Sequence, residues 1–298
     1  MLGAVWLILA LVAALGTAAR EILVKRARRA ADEYVVVFWA AAGAGALLLP
    51  LALRAGEAPA PGFWSALLVS GVINAAAALL IARAVHRSDL SLVAPLKSLT
   101  PLFMLATAPL LIGEYASPLG IAGVVVIVAG TYLLSEPEGV GVFAPYRALL
   151  SDRGAREMLI VAVIFSVSAV VDKVGVRASG AFTWAAALNV FVAAAVAPAA
   201  LLRARRRARD DAAGPAAGAV ALPRRDLAGA AVVTAVALAA QMTAITMTAA
   251  AYVIAVKRTS VFFAVLAGGV YFRESGTRRR ALGAAIMFAG FALVTVAG

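Results

Sequence analysis

Ten apolar stretches, each long enough to cross a lipid bilayer, constrain this sequence more than any other feature. About 20 apolar residues span a hydrocarbon core of ~30 Å as a helix. On that length the sequence predicts helices at about 2–24, 34–53, 62–86, 89–112, 117–135, 157–178, 181–202, 225–248, 250–272 and 278–297. Hydrophobic residues make up 64% of the chain, more than a soluble fold could bury. We therefore expect an all-α polytopic membrane protein.

The second half of the sequence repeats the end of the first half. Residues 93–135 align without gaps on 253–295 when they are moved forward by 160 positions. The matched residues are Lys97 with Lys257, Phe103 with Phe263, Glu114 with Glu274, Gly123 with Gly283 and Gly130 with Gly290. We expect the glycines to permit close helix packing and the glutamates to be structural. The repeat predicts two five-helix domains, 1–135 and 157–298, joined by a linker at 136–156.

Five helices in each repeat have a geometric consequence. An odd number of spans turns the second half upside down relative to the first, which is the inverted-repeat plan of many secondary transporters. Twenty of the 27 basic residues fall in the odd-numbered loops, and three fall in the even-numbered loops, namely Arg54, Lys173 and Arg177. Because cytoplasmic loops collect Lys and Arg, we predict cytoplasmic odd loops and external termini in the cell membrane. The net charge of +12 then reflects loops, and no nucleic-acid partner is expected.

Four basic residues remain, and the predicted helices contain all of them: Arg20, Lys97, Lys257 and Arg258. Charges inside spans are costly and are candidates for function. Lys97 and Lys257 occupy equivalent positions, each ~10–12 Å from a helix end at 1.5 Å per residue. The chain has only four lysines, so this pair is conspicuous. We expect Lys97, Lys257 and Arg258 to line a cavity near the midplane and to bind an anionic group.

Two acidic residues leave an alternative open. Glu21 and Asp172 lie near the ends of the first and sixth predicted helices. Glu21 could pair with Lys97, and Asp172 could pair with Lys257 or Arg258. Either the pairs hold the helices together, or the acids balance the bases when the site is empty and take part in coupling, for example by exchanging a proton.

Uncharged polar residues supply weaker candidates for substrate binding. They are Asn74, Thr100, Gln241 and Tyr252. Asn74 and Gln241 could equally hydrogen-bond neighbouring helices, and Tyr252 could anchor the helix at the membrane interface. Pro95 and Pro101 flank Lys97 and are expected to kink or open its helix.

No pattern in the chain indicates an enzyme. The sequence has no cysteine, no His-Glu-x-x-His, no nucleophile with a histidine base and no phosphate-binding glycine loop. We therefore expect no catalytic residue, no metal and no cofactor. A membrane-embedded lipid-modifying enzyme or a scaffold is the alternative from another class. Such an enzyme needs clustered acids at one membrane face, whereas this chain scatters its acids singly.

Two stretches resemble the EamA family of the drug/metabolite transporter superfamily: VAPLKSLTPLFMLATAPLLIGEYASPLGIAGVVVIVAG and VIAVKRTSVFFAVLAGGVYFRESGTRRRALGAAIMFAG. The resemblance implies ten spans and a carrier that moves small metabolites without a cofactor. A narrower similarity links the chain to the triose-phosphate and nucleotide-sugar branch of that superfamily. In that branch, a lysine followed by a proline in the fourth helix and a Lys-Arg pair in the ninth bind substrate phosphate. Lys97 with Pro101, and Lys257 with Arg258, match these positions.

Together these features predict a secondary transporter of a small organic metabolite that carries phosphate or carboxylate and moves by alternating access. An exporter of amino acids or of other neutral or cationic solutes, with its bases in structural ion pairs, is the alternative within transport. The expected partners are the metabolite, the lipid bilayer and a coupling proton or counter-substrate. The sequence leaves monomer and homodimer both open.

Overall fold

Every regular element in the described part of the chain is an α-helix. The computed structural model describes residues 2–88, 95–135, 143–213, 222–263 and 277–298. The helices in these ranges are α1 (Leu2–Ala27), α2 (Glu33–Ala55), α3 (Phe63–Arg87), α4 (Thr100–Ile112), α5 (Pro118–Ser135), α6 (Ala144–Ser151), α7 (Arg153–Ser179), α8 (Ala181–Ala213), α9 (Arg224–Met247), α10 (Ala250–Lys257) and α11 (Thr277–Ala297).

Eight helical segments within these ranges are long and apolar enough to cross a membrane. They comprise α1, α2, α3, α5, α7, α8, α9 and the segment Pro95–Ile112 that contains α4. The last predicted span appears as a shorter apolar stretch, Ala281–Ala297. The ninth predicted span continues into 264–276, outside the described residues. The count of ten spans therefore stays a prediction.

Three element boundaries differ from the sequence prediction. The predicted linker 136–156 contains a short helix, α6, which begins with Pro145 in its first turn. α7 starts at Arg153 because the Asp152 side chain accepts a hydrogen bond from Ala155 N at 2.7 Å and caps the helix. α8 runs to Ala213 rather than ending near 202, since its tail is rich in Ala and Arg, which are strong helix formers.

The helices pair across the two halves of the chain. α1 packs mainly on α9, α2 on α8, α3 on α7 and α5 on α11, while α4 contacts α7 and α10. Counted as predicted spans, α1 is the first and packs on α9, the eighth; α3 is the third and packs on α7, the sixth. The first and third spans of one half correspond to the sixth and eighth of the other, so exchanging the halves gives the same pairs. This reciprocity is what two interlocked copies of one unit require.

Among the described residues, the turns between helices lie on two opposite faces of the bundle. On one face, which we call the even face, Ala60 N donates to Ala178 O at 2.8 Å, and the C-terminal Gly298 lies against Thr248. On the odd face, Ser88 Oγ donates to Asp152 Oδ1 at 2.5 Å. That bond and the bond from Ala155 N lower the pKa of the Asp152 carboxyl. The turns after α2 and α3 are thus tied to the second-half helix α7.

Four glycines form a close seam between α5 and α11. A Cβ at Gly290 would lie 2.5 Å from Ile127 N, and a Cβ at Gly130 would overlap Met287 N. Gly123 and Gly283 approach backbone atoms of the opposite helix in the same way. The contacted residues, Ile127 and Met287, are separated by 160 positions, as the paired glycines are. The two sides of the seam are therefore related by the internal repeat. The prediction that these glycines permit close packing is confirmed.

Gly130→Ala should destabilise the protein by about 1–3 kcal/mol, because the added methyl meets backbone that cannot rotate away. Gly229→Ala is the matched control, since its methyl would meet only the flexible end of Leu23 at 3.2 Å. Thermal unfolding in detergent should show a lower midpoint for Gly130→Ala and an unchanged or higher one for Gly229→Ala. Equal midpoints for the two variants would show that the seam does not need glycine.

Candidate functional site

Two helices break at positions related by the internal repeat. Ser98 N and Leu99 N bond to the carbonyl oxygens of Pro95 and Leu96, three residues back rather than four. Arg258 N and Thr259 N bond in the same way to Ala255 O and Val256 O. Each tightened turn interrupts one long apolar segment, and Lys97 and Lys257 stand at the start of the two breaks.

Different local causes produce these equivalent breaks. Pro101 has no N–H to donate, and its ring disfavours a continuous helix through Lys97. The equivalent residue in the second half is Val261, which has an N–H and donates it to Arg258 O at 3.0 Å. The helix break at Lys97 could therefore be predicted from Pro101, whereas the break at Lys257 depends on its tertiary surroundings. Thr100 Oγ1 donates to Lys97 O at 2.9 Å and satisfies a carbonyl at the first break.

The intramembrane bases at the two breaks interact with one another electrostatically. Lys97 and Lys257 interact electrostatically with each other, and both interact with Arg20, Glu21 and Arg258. These five residues, here called the base cluster, come from α1 and from the two broken segments. They comprise four bases and one acid.

Neighbouring side chains orient individual members of the base cluster. Lys257 Nζ donates to Gln241 Oε1 at 2.5 Å, and Gln241 is a buried residue of α9. Lys97 Nζ lies 6.0 Å from the centre of the Phe165 ring, which is within the range of a cation–π contact. Arg258 Nε is buried without a hydrogen-bond partner among the described residues. The cluster therefore retains donors that a ligand could use.

The structure differs from the predicted ion pairs. Among the described residues the ion pairs are Arg28–Glu33, Arg87–Glu157 and Lys173–Glu114. Glu21 is exposed and interacts with the base cluster without an ion-pair contact to Lys97. Asp172 interacts electrostatically with Lys257 but makes no ion-pair contact with it or with Arg258, and neutral donors hold its carboxylate.

A buried polar network holds Asp172. Its Oδ1 accepts a hydrogen bond from Ser70 Oγ at 2.5 Å and one from Trp184 Nε1 at 3.2 Å. Ser168 Oγ lies 3.0 Å from Ser70 Oγ, and Asn74 Nδ2 donates to Ser168 Oγ at 2.8 Å. This network joins α3, α7 and α8, and it engages the Asn74 amide that the sequence suggested for substrate binding.

Sequence reasoning missed Ser70 and Ser168, although a signal was present. Ser70 precedes Asn74 by four residues, and Ser168 precedes Asp172 by four. Residues four apart lie on the same face of a helix. Two polar pairs at that spacing, on two otherwise apolar helices, indicate helix faces that meet.

A second group of charged residues lies at the even face. Glu114 pairs with Lys173 and also accepts a hydrogen bond from Ala250 N at 2.8 Å. Lys173 Nζ donates to Thr248 O at 2.7 Å. The sequence had placed Lys173 in a loop, but it is a buried residue of α7. We call this group the even-face latch; it caps the N-terminus of α10, the helix that carries Lys257.

Tyr252 also lies near the start of α10. Its hydroxyl accepts a hydrogen bond from Ser117 N at 2.9 Å, and its ring packs over Gly120 at the start of α5. The side chain is 4% exposed and is committed to this turn. Its predicted contact with substrate stays a prediction.

Apolar helices of membrane-spanning length, paired between two halves with matching breaks, define a multi-pass membrane protein built from two repeats. The family comparison gives this class a name. The profile of the EamA-like transporter family matches residues 4–136 and again 154–296, so the chain belongs to that family. The predicted resemblance is confirmed, while the similarity to the triose-phosphate and nucleotide-sugar branch is not confirmed and stays a prediction.

The structural comparison agrees with this architecture. A solved structure described only as "Crystal structure of protein" has a TM-score of 0.74 to this chain, with 16% sequence identity. The match covers 97% of this chain and 96% of the other. At that identity the likeness shows the fold alone. No curated protein matches the sequence.

Proposed function

We propose that this protein is a secondary transporter of a small organic metabolite bearing phosphate or carboxylate. One observation carries the proposal: Lys97 and Lys257 stand at repeat-related helix breaks, interact electrostatically with each other, and form no ion pair with any acid of the described residues. Two bases locked in structural pairs would each contact an acid. Bases that interact electrostatically with one another without such contacts instead suit a ligand that supplies the missing negative charge.

In this proposal Lys97, Lys257 and Arg258 bind the charged group of the substrate. Gln241 fixes the ammonium of Lys257 through the 2.5 Å hydrogen bond. Thr100 supports the first break, and Asn74 and Tyr252 act at the edge of the site. Broken helices are suited to this task because they offer unpaired backbone groups and half-helix dipoles near the midplane.

The two acids have different proposed roles. Glu21 balances the base cluster when no substrate is bound, as its electrostatic interaction with Lys97, Lys257 and Arg258 suggests. Asp172 is a candidate for coupling, since it is a buried carboxylate held by neutral donors. A proton or a counter-substrate could exchange at either acid.

The transport cycle rests on the repeat architecture. We propose ten spans in two inverted halves, 1–135 and 157–298, that rock about the base cluster by alternating access. The segment 136–156 connects them. The basic loops lie in the cytoplasm and the termini outside the cell membrane, because the odd-numbered loops contain 20 of the 27 basic residues.

A second candidate is an exporter of amino acids or other amine-bearing solutes. Asp172 favours it, because this carboxylate is 6% exposed and none of the ion pairs of the described residues involves it. In that case an amine would bind near Asp172, while the bases would serve the structure.

Thermal unfolding with added solutes separates the two candidates, because a ligand that binds only the folded state raises the midpoint. Purified protein should be screened with phosphorylated, carboxylated, zwitterionic, cationic and neutral metabolites. We expect stabilisation by a phosphorylated or carboxylated solute and its loss in Lys97→Glu. Stabilisation by amines alone, lost in Asp172→Asn and kept in Lys97→Glu, would contradict the anion site and support the second candidate.

A further inference from the structure

A pocket on the odd face is lined by five arginines, and neither the family nor the proposed transport site accounts for it. We propose that this arginine pocket binds a phosphate group, supplied by an anionic phospholipid headgroup or by a free phosphate compound. Its lining residues are Arg28, Arg29, Ala30, Ala31, Asp32, Arg203, Arg206 and Arg207. The cavity measures about 430 Å³, and its lining carries a net charge of +4.

The pocket exists because α8 continues to Ala213, beyond the end near residue 202 that the sequence predicts. Arg203, Arg206 and Arg207 are spaced three and four residues apart, which places them on one face of a helix. The turn between α1 and α2 supplies the remaining arginines. The two elements belong to different halves of the chain, so folding itself concentrates charges that are distant in sequence.

Several arginines are already held in place by the protein. Arg207 Nη1 donates to Ala30 O at 2.6 Å, which ties α8 to the α1–α2 turn. The Arg203 guanidinium lies 5.6 Å from the centre of the Tyr34 ring. Arg28 pairs with Glu33 at 2.5 Å. These contacts hold the walls of the pocket before any ligand arrives, which lowers the entropic cost of binding.

Two arginines are left without such contacts. The side chains of Arg29 and Arg206 are exposed and form no hydrogen bond or ion pair within the described residues. Their guanidinium groups can therefore bind the planar oxygen pairs of a phosphate. Asp32 forms no ion pair with either of them; its Oδ1 accepts a bond from Tyr34 N at 2.9 Å and caps α2.

The position of the pocket favours a lipid as the source of the phosphate. The apolar span of α1 ends at Ala27, and that of α2 begins at Glu33. The arginines thus lie where apolar helix gives way to polar turn, at the depth of the headgroups. Basic pockets between helices at this depth bind anionic lipid headgroups.

Another cavity on the odd face provides a matched control. It measures about 550 Å³ and is lined by five consecutive residues, Leu222 to Asp226, with only Arg224 and Arg225 as bases. A single segment of the chain forms this cavity, whereas two separate elements line the arginine pocket. Removing two arginines there changes the net charge of the same face by the same amount.

The test uses the full chain purified in detergent, with short-chain phosphatidylglycerol, phosphatidylcholine and inorganic pyrophosphate as probes. We expect wild type to prefer phosphatidylglycerol to phosphatidylcholine. The double variant Arg29→Gln/Arg206→Gln should bind phosphatidylglycerol about 30-fold more weakly, given the typical contribution of each basic residue. Arg224→Gln/Arg225→Gln should bind as wild type does, and both variants should unfold at the wild-type temperature.

The probes separate the two sources of phosphate. Pocket-dependent binding of phosphatidylglycerol without pyrophosphate indicates a lipid headgroup, and pocket-dependent binding of pyrophosphate indicates a free phosphate compound. Either result supports the phosphate site. Equal weakening in the two double variants would show charge attraction of the whole face and would overturn the proposal, as would equal affinity for phosphatidylglycerol and phosphatidylcholine.

Discussion

Lys97→Gln and Lys257→Gln should each lower transport of the anionic substrate by one to two orders of magnitude. Both lysines belong to the base cluster, and each would lose a charge-assisted hydrogen bond to the substrate. Such a bond contributes about 1.5–3 kcal/mol, which corresponds to about 10- to 150-fold in affinity. Initial uptake rates in proteoliposomes, measured over a range of substrate concentrations, give the KM and the maximal rate of each variant. We expect mainly an increase in KM, because the lost contact is a binding contact.

Lys25, one of the four lysines of the chain, provides the control. Lys25 is exposed in the last turn of α1, so Lys25→Gln should transport as wild type does. Lys257→Gln also leaves Gln241 without its partner, and Gln241→Leu should therefore show a smaller loss in the same direction. If Lys97→Gln and Lys257→Gln transport as well as Lys25→Gln does, the base cluster is not the substrate site.

Lys173→Met should destabilise the protein by about 3–5 kcal/mol. Lys173 has 4% of its side chain exposed and pairs with Glu114, whose exposed fraction is 16%. Removing one partner of a buried pair leaves the other charge uncompensated, and that cost exceeds the net value of the pair. The second substitution Glu114→Gln should therefore recover part of the loss. Unfolding in mixed micelles of the two single variants and the double variant measures this coupling.

Arg28→Met is the control for this second prediction. Arg28 also pairs with a glutamate, Glu33, but 36% of its side chain is exposed. An exposed pair contributes at most about 1 kcal/mol, so Arg28→Met should barely change the unfolding midpoint. Equal effects of Lys173→Met and Arg28→Met would show that the even-face latch adds no stability beyond that of a surface pair.

The sequence was sufficient to predict the helices and their repetition. Apolar length and the shared spacing of Lys97 and Lys257 depend only on local composition and on the alignment of the chain with itself. The glycine seam was also predictable, because Gly130 and Gly290 recur at the same offset. These features are local or internally repeated, so one sequence contains them fully.

The contacts of the charged residues were less predictable. Matching depth suggested that Asp172 would meet Lys257 or Arg258, but depth does not specify which faces of two helices meet. α3 presents Ser70 to Asp172 instead, and α7 carries Lys173 inward to Glu114. The helix break at Arg258 could not be predicted either, because no proline lies beside it in the sequence. Each of these features depends on how the helices pack around one another.

The most direct test of the central claim is flux of charged and neutral solutes into proteoliposomes that contain only this protein. Vesicles preloaded with an unlabelled phosphorylated or carboxylated metabolite should accelerate entry of the labelled compound, whereas a neutral analogue should neither enter nor exchange. That result would show alternating-access transport selective for an anion. Absence of protein-dependent flux for every anionic solute, or exchange of amines and neutral solutes alone, would contradict the account.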